Sequence, residues 1–213
     1  MKILVTAGAT REPIDAVRFL SNVSTGTTGA ALADELTSRG HPVVLLHGQG
    51  AVISERAAER EEFSSAADLQ ARLLRRLGDG DFDAIVMAAA VADYRPAQVI
   101  DGKLSSDASE QSLRLVRNEK ILPLLKGFAP RPLRVIGFKL TVGAEPDARR
   151  QAVAAQFSAG GIDAVIHNDL VEIRRSPLHP FWLWQATDVS ARELKGIPAL
   201  AEALLELIAR PSE

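Results

Sequence analysis

The stretch RFLSNVSTGTTGAALADELTSRG, residues 18–40, changes character midway. Its first half is polar and punctuated by Gly26 and Gly29. Its second half places Ala31, Leu32 and Leu36 on one helical face and closes with Gly40, a C-terminal stop signal. MKILVTAG stands before it and PVVLLHG after it, two short apolar runs that read as strands. Strand, crossover helix and second strand make the repeating unit of a mostly parallel α/β sheet.

The rest of the chain repeats that unit. SSAADLQARLLRRLGDG offers Ser65 as an N-cap, followed by Leu69, Leu73, Leu74 and Leu77 at helical spacing. FDAIVMAAAVADY begins as a buried strand and ends in a turn of small residues, where backbone can come close to a ligand. EKILPLLKGFAP predicts a short helix stopped by Pro130, LRVIGFKLT a strand, PDARRQAVAAQFSAGG a helix and DAVIHND a strand. PFWLWQAT alternates enough to be an edge strand, and GIPALAEALLELIARP is a final amphipathic helix. Residues 97–118 are polar and turn-rich with one alternating piece, SLRLV, and predict a flap or hairpin. A length of 213 residues suits one α/β core, so a single domain over residues 1–213 is expected.

Composition removes several classes of function. Lys and Arg number 25 against 27 Asp and Glu, a net charge of -2, so no global field would hold a nucleic acid or an acidic membrane. There is no cysteine, which excludes disulfides, thiolate zinc sites and thiol nucleophiles. No apolar stretch approaches the ~20 residues that cross a bilayer. Met1 runs straight into the first strand without a basic segment or cleavage site, so no signal peptide is expected and the protein reads as cytoplasmic.

In an open α/β sheet, ligands sit beyond the carboxyl ends of the strands, where helix N-termini point unpaired N–H groups. Four loops qualify: GATREPIDAVRFLSNVSTGTTG, AAAVADYRP, FKLT and HND. The first is unusual, because about 15 residues separate strand from helix where a dinucleotide fold turns in a few with G-x-G-x-x-G. That fingerprint is missing, and the second strand ends in His47-Gly48 with no acid for a ribose hydroxyl. An NAD(P)-linked oxidoreductase is therefore the disfavoured alternative.

Gly26 and Gly29 would let backbone approach a bulky anion, while Ser24, Thr25, Thr27 and Thr28 add hydroxyl donors. The same residues also suit an ordinary capped helix. Asn22 can neither attack nor act as a base, yet its amide can donate to an oxygen gaining negative charge; it is equally a common turn residue. The P-loop, G-x-S-x-G and H-E-x-x-H motifs are all absent. His41, His47, His167 and His179 show no paired ligand spacing, so no metal site is predicted. RLLRR at 72–76 reads as a solvated helix face.

Taken in order, TAGATREPIDAVRFLSNVSTGTTG, AAAVADYRP, GKLSS, GFKL and DAVIHND resemble the phosphopantothenoylcysteine synthetases, from about residue 3 to about residue 170. The resemblance implies a single Rossmann-like synthetase domain, homodimeric, that joins 4'-phosphopantothenate to L-cysteine with ATP or CTP and Mg2+. The bacterial form fused to a flavin-dependent decarboxylase carries a KIKK flap, a PDI turn and a Lys pair on the helix before the ND strand. Here the flap reads KLSS, the turn NEKI, and the helix QAVAAQFSAGG has no Lys. KLSS and GFKL resemble the monofunctional form typical of eukaryotes, which favours ATP, and the chain begins at the synthetase's own first strand, so FMN is not expected. The loss of the Lys pair also leaves open a non-catalytic nucleotide-binding relative.

Position by position, the resemblance implies Gly8, Asn22, Ser24, Gly26 and Gly29 around nucleotide and intermediate. Ala89, Ala90 and Asp93 would line the phosphopantothenate or nucleotide side. Lys103 would project from the flap, Lys139 would follow Phe138 in GFKL, and Phe138 with Asn168 would frame the base. Asn22 and Lys103 are the expected catalytic residues. The eukaryotic FKLET continues here as FKLTV, so its Glu has no counterpart.

Overall fold

The computed structural model describes residues 1–107, 109–185 and 190–210. Its centre is a run of parallel strands: β1 (Ile3–Ala7), β4 (Val43–Gly48), β5 (Glu59–Phe63), β6 (Ala84–Met87), β9 (Arg134–Thr141) and β10 (Ala164–Asp169). Two short strands, β2 (Arg11–Pro13) and β3 (Phe19–Ser21), form a separate hairpin between β1 and the first helix. Another pair, β7 (Tyr94–Pro96) and β8 (Leu115–Arg117), closes the base of the flap predicted at 97–118. The sheet ends in two antiparallel strands, β11 (Pro180–Trp184) and β12 (Arg192–Lys195), giving the order β12-β11-β10-β9-β6-β1-β4-β5. The chain starts in the middle and winds outward in both directions, so strand order reverses between β1 and β6.

Strands β1, β4, β6 and β10 are buried along their whole lengths, as strands covered by helices on both faces must be. On one face, Ile3, Val5, Val43, Leu45 and Val86 pack under α1 (Thr27–Ser38) and α6 (Gly196–Ala209). On the other, Leu4, Val44, Leu46 and Ile85 pack under α2 (Ala66–Asp79) and α3 (Leu125–Phe128). α4 (Pro146–Ser158) lies on that second face too, where its Gln156 covers Gly137. The remaining helix, α5 (Leu170–Arg175), is a short turn after β10. The predicted helices recur with nearly the expected bounds, and Ser65 accepts from Asp68 N–H at 3.2 Å as the cap of α2.

Two sequence expectations need correction. RLLRR is not simply a solvated face. Arg72 and Arg76 hold the Glu61 carboxylate at 2.6 and 2.7 Å, joined by Arg75. Burial alone would raise the Glu61 pKa, but the three guanidinium groups outweigh it and hold the carboxyl below its ordinary value. This network covers the edge strand β5, whose sequence EREEF carries no alternating apolar signal. The second correction is that PFWLWQAT is not the edge, because β12 pairs along its outer side. Ala186 and Thr187 of that segment lie outside the described residues.

Candidate active site

The reversal of strand order leaves a crevice at the carboxyl ends of β1 and β6, the position where doubly wound sheets receive ligands. A cleft of about 620 Å³ opens there, walled by residues 22–29, 87–93, 118–123 and 138–140, with Gln156 of α4 and Asn168 of β10.

One wall is the start of α1. Its N-cap is Gly26, held at φ 80 with no side-chain cap, so the Ser or Thr cap of an ordinary capped helix does not form. Glycine takes this left-handed conformation without the steric cost of a Cβ. The first helical bond runs from Ala30 N–H to Gly26 O at 3.0 Å, and the N–H groups of Thr28 and Gly29 find no partner among the described residues. Unpaired N–H groups at the positive end of a helix dipole favour an anion. Gly29 has a different reason to be small: a Cβ there would stand 2.7 Å from that of Ala7, so α1 lies directly on β1.

The opposing wall, residues 88–92, is stitched to an extension of β1. Ala90 N–H donates to Gly8 O at 2.8 Å, and Thr10 N–H to Ala90 O at 3.1 Å. The side chains of Thr6 and Thr10 accept from Ala89 and Ala92 N–H at 3.1 and 3.0 Å. Both threonines are fully buried, and neither was singled out in the sequence. Asn22 leaves the end of β3 and reaches across the cleft, its Nδ2 3.3 Å from Val91 O. That long bond uses one amide hydrogen and leaves the other for a ligand.

Phe138, packed on Phe181, lines the cleft from one face of the sheet, and Leu122, Pro123 and the small residues Ala152, Ala155 and Ala159 line it as well. Lys139 also lines the cleft, and its side chain makes no hydrogen bond or ion pair among the described residues. Asp93 reaches the wall but is paired with Lys120. Its neighbour Asn118 donates to Ala92 O at 2.8 Å and accepts from Arg95 at 3.0 Å, tying the foot of the flap to the wall.

Thus Asn22, Ser24, Gly26, Gly29, Ala89, Ala90, Asp93, Phe138, Lys139 and Asn168 meet in one cleft. Gly8 and Lys103 are not among its walls. Gly8, at φ 81, lies behind them, where a Cβ would stand 2.6 Å from that of Ala51. Lys103 is exposed on the flap. Asn118, Lys120 and Gln156 are cleft residues the sequence did not mark; only the NEKI turn, noted as a departure, pointed to the first two.

The loop after β4 also decides against a dinucleotide. Ala51 fills the space over Gly8 and Gly26, and Val52 N–H donates to Thr25 O at 2.8 Å. The cleft consequently runs from β1 toward β6, β9 and β10, away from the side where a dinucleotide meets the second strand. Among the described residues, no three His, Asp or Glu side chains gather to hold a metal ion, and no helix is long and apolar enough to cross a membrane.

Just beyond the cleft, Asp169 fixes the turn after β9. Its carboxylate accepts from Thr141 Oγ1 at 2.7 Å and from the N–H groups of Gly143, Ala144 and Val171 at 2.9, 3.1 and 2.9 Å. Burial opposes its charge, yet these donors prevail and hold the carboxyl well below the usual range.

A doubly wound sheet with an open cleft and an uncapped helix N-terminus at its switch point defines a Rossmann-type α/β protein shaped to receive a small molecule. Residues 1–209 match the family model described as the DNA/pantothenate metabolism flavoprotein C-terminal domain, and the chain belongs to that family. It is 38% identical over 182 residues to the coenzyme A biosynthesis bifunctional protein CoaBC of Mycolicibacterium smegmatis, covering 82% of this chain and 43% of that one. Against CoaBC of Thermococcus kodakarensis it is 32% identical over 169 residues, 79% of this chain and 41% of the other. The chain thus spans less than half the length of these curated relatives. Among solved structures, the DNA/pantothenate metabolism flavoprotein from Streptococcus pneumoniae superposes with a TM-score of 0.85 at 29% identity, covering 98% of both chains. The C-terminal domain of a CoaBC gives 0.74 at 25% identity, covering 97% of this chain and 93% of that one. A Cab2 variant in complex with phosphopantothenate-cysteine shares the fold, with a TM-score of 0.77 at 17% identity over 98% of this chain and 85% of that one.

Proposed function

We propose that this protein is a phosphopantothenate–cysteine ligase of coenzyme A biosynthesis. The observation that carries the reading is the meeting of Asn22 with the unpaired N–H groups of α1 in a cleft large enough for a nucleotide and a second substrate. Family membership supports the same reading.

A carboxylate cannot be converted to an amide until its oxygen becomes a leaving group. In the proposed first step, a carboxylate oxygen of 4'-phosphopantothenate attacks the α-phosphorus of ATP or CTP. Pyrophosphate leaves, and an acyl nucleotidylate remains. In the second, the cysteine amine attacks the acyl carbon, the bond to the bridging oxygen breaks, and the nucleoside monophosphate departs. No enzyme nucleophile is required, in keeping with a chain without cysteine. The triphosphate brings Mg2+ with it, since that ion is satisfied by phosphate oxygens and water and needs few protein ligands.

The cleft residues divide this work by chemistry. Thr28 and Gly29 N–H groups and the unpaired Lys139 face the triphosphate charge, with Lys103 arriving from the flap. Asn22 holds the acyl oxygen and stabilises the oxyanion of the second step. Phe138 and Asn168 receive the base. The homodimer implied by the resemblance belongs to the same reading and is checked by light scattering.

The test is a coupled pyrophosphate assay with ATP and CTP in parallel. Release that requires 4'-phosphopantothenate, with amide product that further requires cysteine, supports the ligase. No substrate-dependent release with either nucleotide would end it.

A further inference from the structure

One residue of the cleft wall, Asn168, is tied to a side chain that lies outside the cleft. Asn168 is 8% exposed and lines the wall beside Phe138. Its Nδ2 lies 3.0 Å from Nε2 of His179, a residue that does not itself reach the cleft. His179 has little freedom to move. Its ring stacks on Phe181 with centroids 4.1 Å apart and planes 12° apart, and its carbonyl accepts from Gly196 N–H at 2.9 Å. Phe181 in turn meets Phe138 edge-on at 6.4 Å, so the histidine, the asparagine and the cleft wall form one packed unit.

An amide nitrogen can only donate, so Nε2 of His179 must accept, which requires a neutral ring with its hydrogen on Nδ1. Burial favours that neutral form by lowering the pKa of His179. With Nδ2 engaged, Asn168 Oδ1 has no partner among the described residues, and it is the group left to the cleft. Phosphate belongs by the α1 N–H groups, which leaves the part of the wall formed by Phe138 and Asn168 for the heterocycle.

We infer that His179 is a positioning residue that locks the Asn168 carboxamide with its oxygen toward the cleft, and thereby selects a nucleobase carrying an exocyclic amino group over its keto counterpart. The inference rests on the nucleotide reading above. An amino group donates to Oδ1, whereas a keto oxygen in that place would set two acceptors against each other and leave both unsatisfied.

Direct calorimetric binding of triphosphates tests this without relying on turnover. ATP is compared with inosine triphosphate, and CTP with UTP, pairs that exchange amino for keto at one position. The unaltered chain is expected to favour the amino member by about tenfold. His179→Leu, which cannot accept from Asn168, should bring the ratio close to one while inorganic tripolyphosphate binds as before. His179→Gln, whose Oε1 can still accept from Nδ2, should retain the preference and guards against mere loss of fold in the leucine variant. A preference unchanged in folded His179→Leu, or absent from the unaltered chain, overturns the inference. A preserved preference without substrate-dependent pyrophosphate release would overturn the ligase reading alone.

Discussion

Asp15 and Leu104 stand 89 positions apart in the chain, yet the Leu104 N–H donates to Asp15 Oδ2 at 3.0 Å. Asp15 also accepts from Val17 and Arg18 N–H at 2.8 and 2.7 Å, while Arg18 spans its carboxylate and Leu104 O. Two backbone bonds flank the contact: Ala16 N–H to Gly102 O and Ile100 N–H to Ile14 O, each 2.9 Å. The hairpin between β2 and β3 therefore holds the flap, and the same hairpin delivers Asn22. Asp15→Asn removes one of the acceptors and should free the flap. Expected are faster tryptic cutting at Lys103 or Arg114 and a fall in kcat that is not additive with Lys103→Ala. Additive losses with unchanged cutting would separate the two residues.

Asn22→Asp keeps the size of the side chain and replaces a donor with a charged acceptor. The second step should slow by ~10²–10³, equivalent to ~3–4 kcal/mol, while activation continues. Quenched-flow analysis should then find acyl nucleotidylate accumulating. Coupling at the normal rate in this variant would remove Asn22 from the mechanism.

Asp169 links acid stability to the wall of the cleft. Its pKa is depressed in the folded chain, so its contribution is fully present above the unfolded value of ~3.9 and is lost as pH falls below it toward the folded value. In Asp169→Asn the melting temperature should drop clearly at pH ~7, and the gap to the unaltered protein should narrow as pH falls from ~4 toward ~2. Equal differences at both pH values would mean the charge is irrelevant.

Two glycines separate backbone strain from close packing. Gly40→Ala meets nothing within 4 Å but must adopt φ 85, so it should cost ~1–2 kcal/mol without altering ligand binding. Gly29→Ala would press a methyl against Ala7 and Thr6 O, at 2.7 and 3.0 Å, and must lift α1 from β1. A loss of ~1–3 kcal/mol is expected, with weaker triphosphate binding because the helix N–H groups move with it. Denaturant titration and calorimetry measure both.

The elements readable in the sequence owe their stability to patterns that need no distant partner to recognise. VVLLHG is buried from end to end, and Leu69, Leu73 and Leu77 share one helical face. β5 was hidden because the charges of EREEF are answered by arginines on α2, a tertiary arrangement without sequence period. β2, β3 and β12 are three or four residues long, too short to show alternation. In the cleft, the resemblance found the residues on strand ends and the glycine turn. Gln156 and Asn118 escaped because a helix and the flap's foot bring them there from separate crossovers, and Lys103 stands on the flap outside the walls.

Transfer of oxygen from the carboxylate to the nucleotide tests the chemistry most directly. With both carboxylate oxygens of 4'-phosphopantothenate replaced by 18O, attack on the α-phosphorus places one labelled oxygen in the bridge, and amine attack leaves it on the nucleoside monophosphate. Mass spectrometry of the products should find one 18O in the monophosphate and none in pyrophosphate. Label in orthophosphate alongside a nucleoside diphosphate, or an unlabelled monophosphate, would contradict the account.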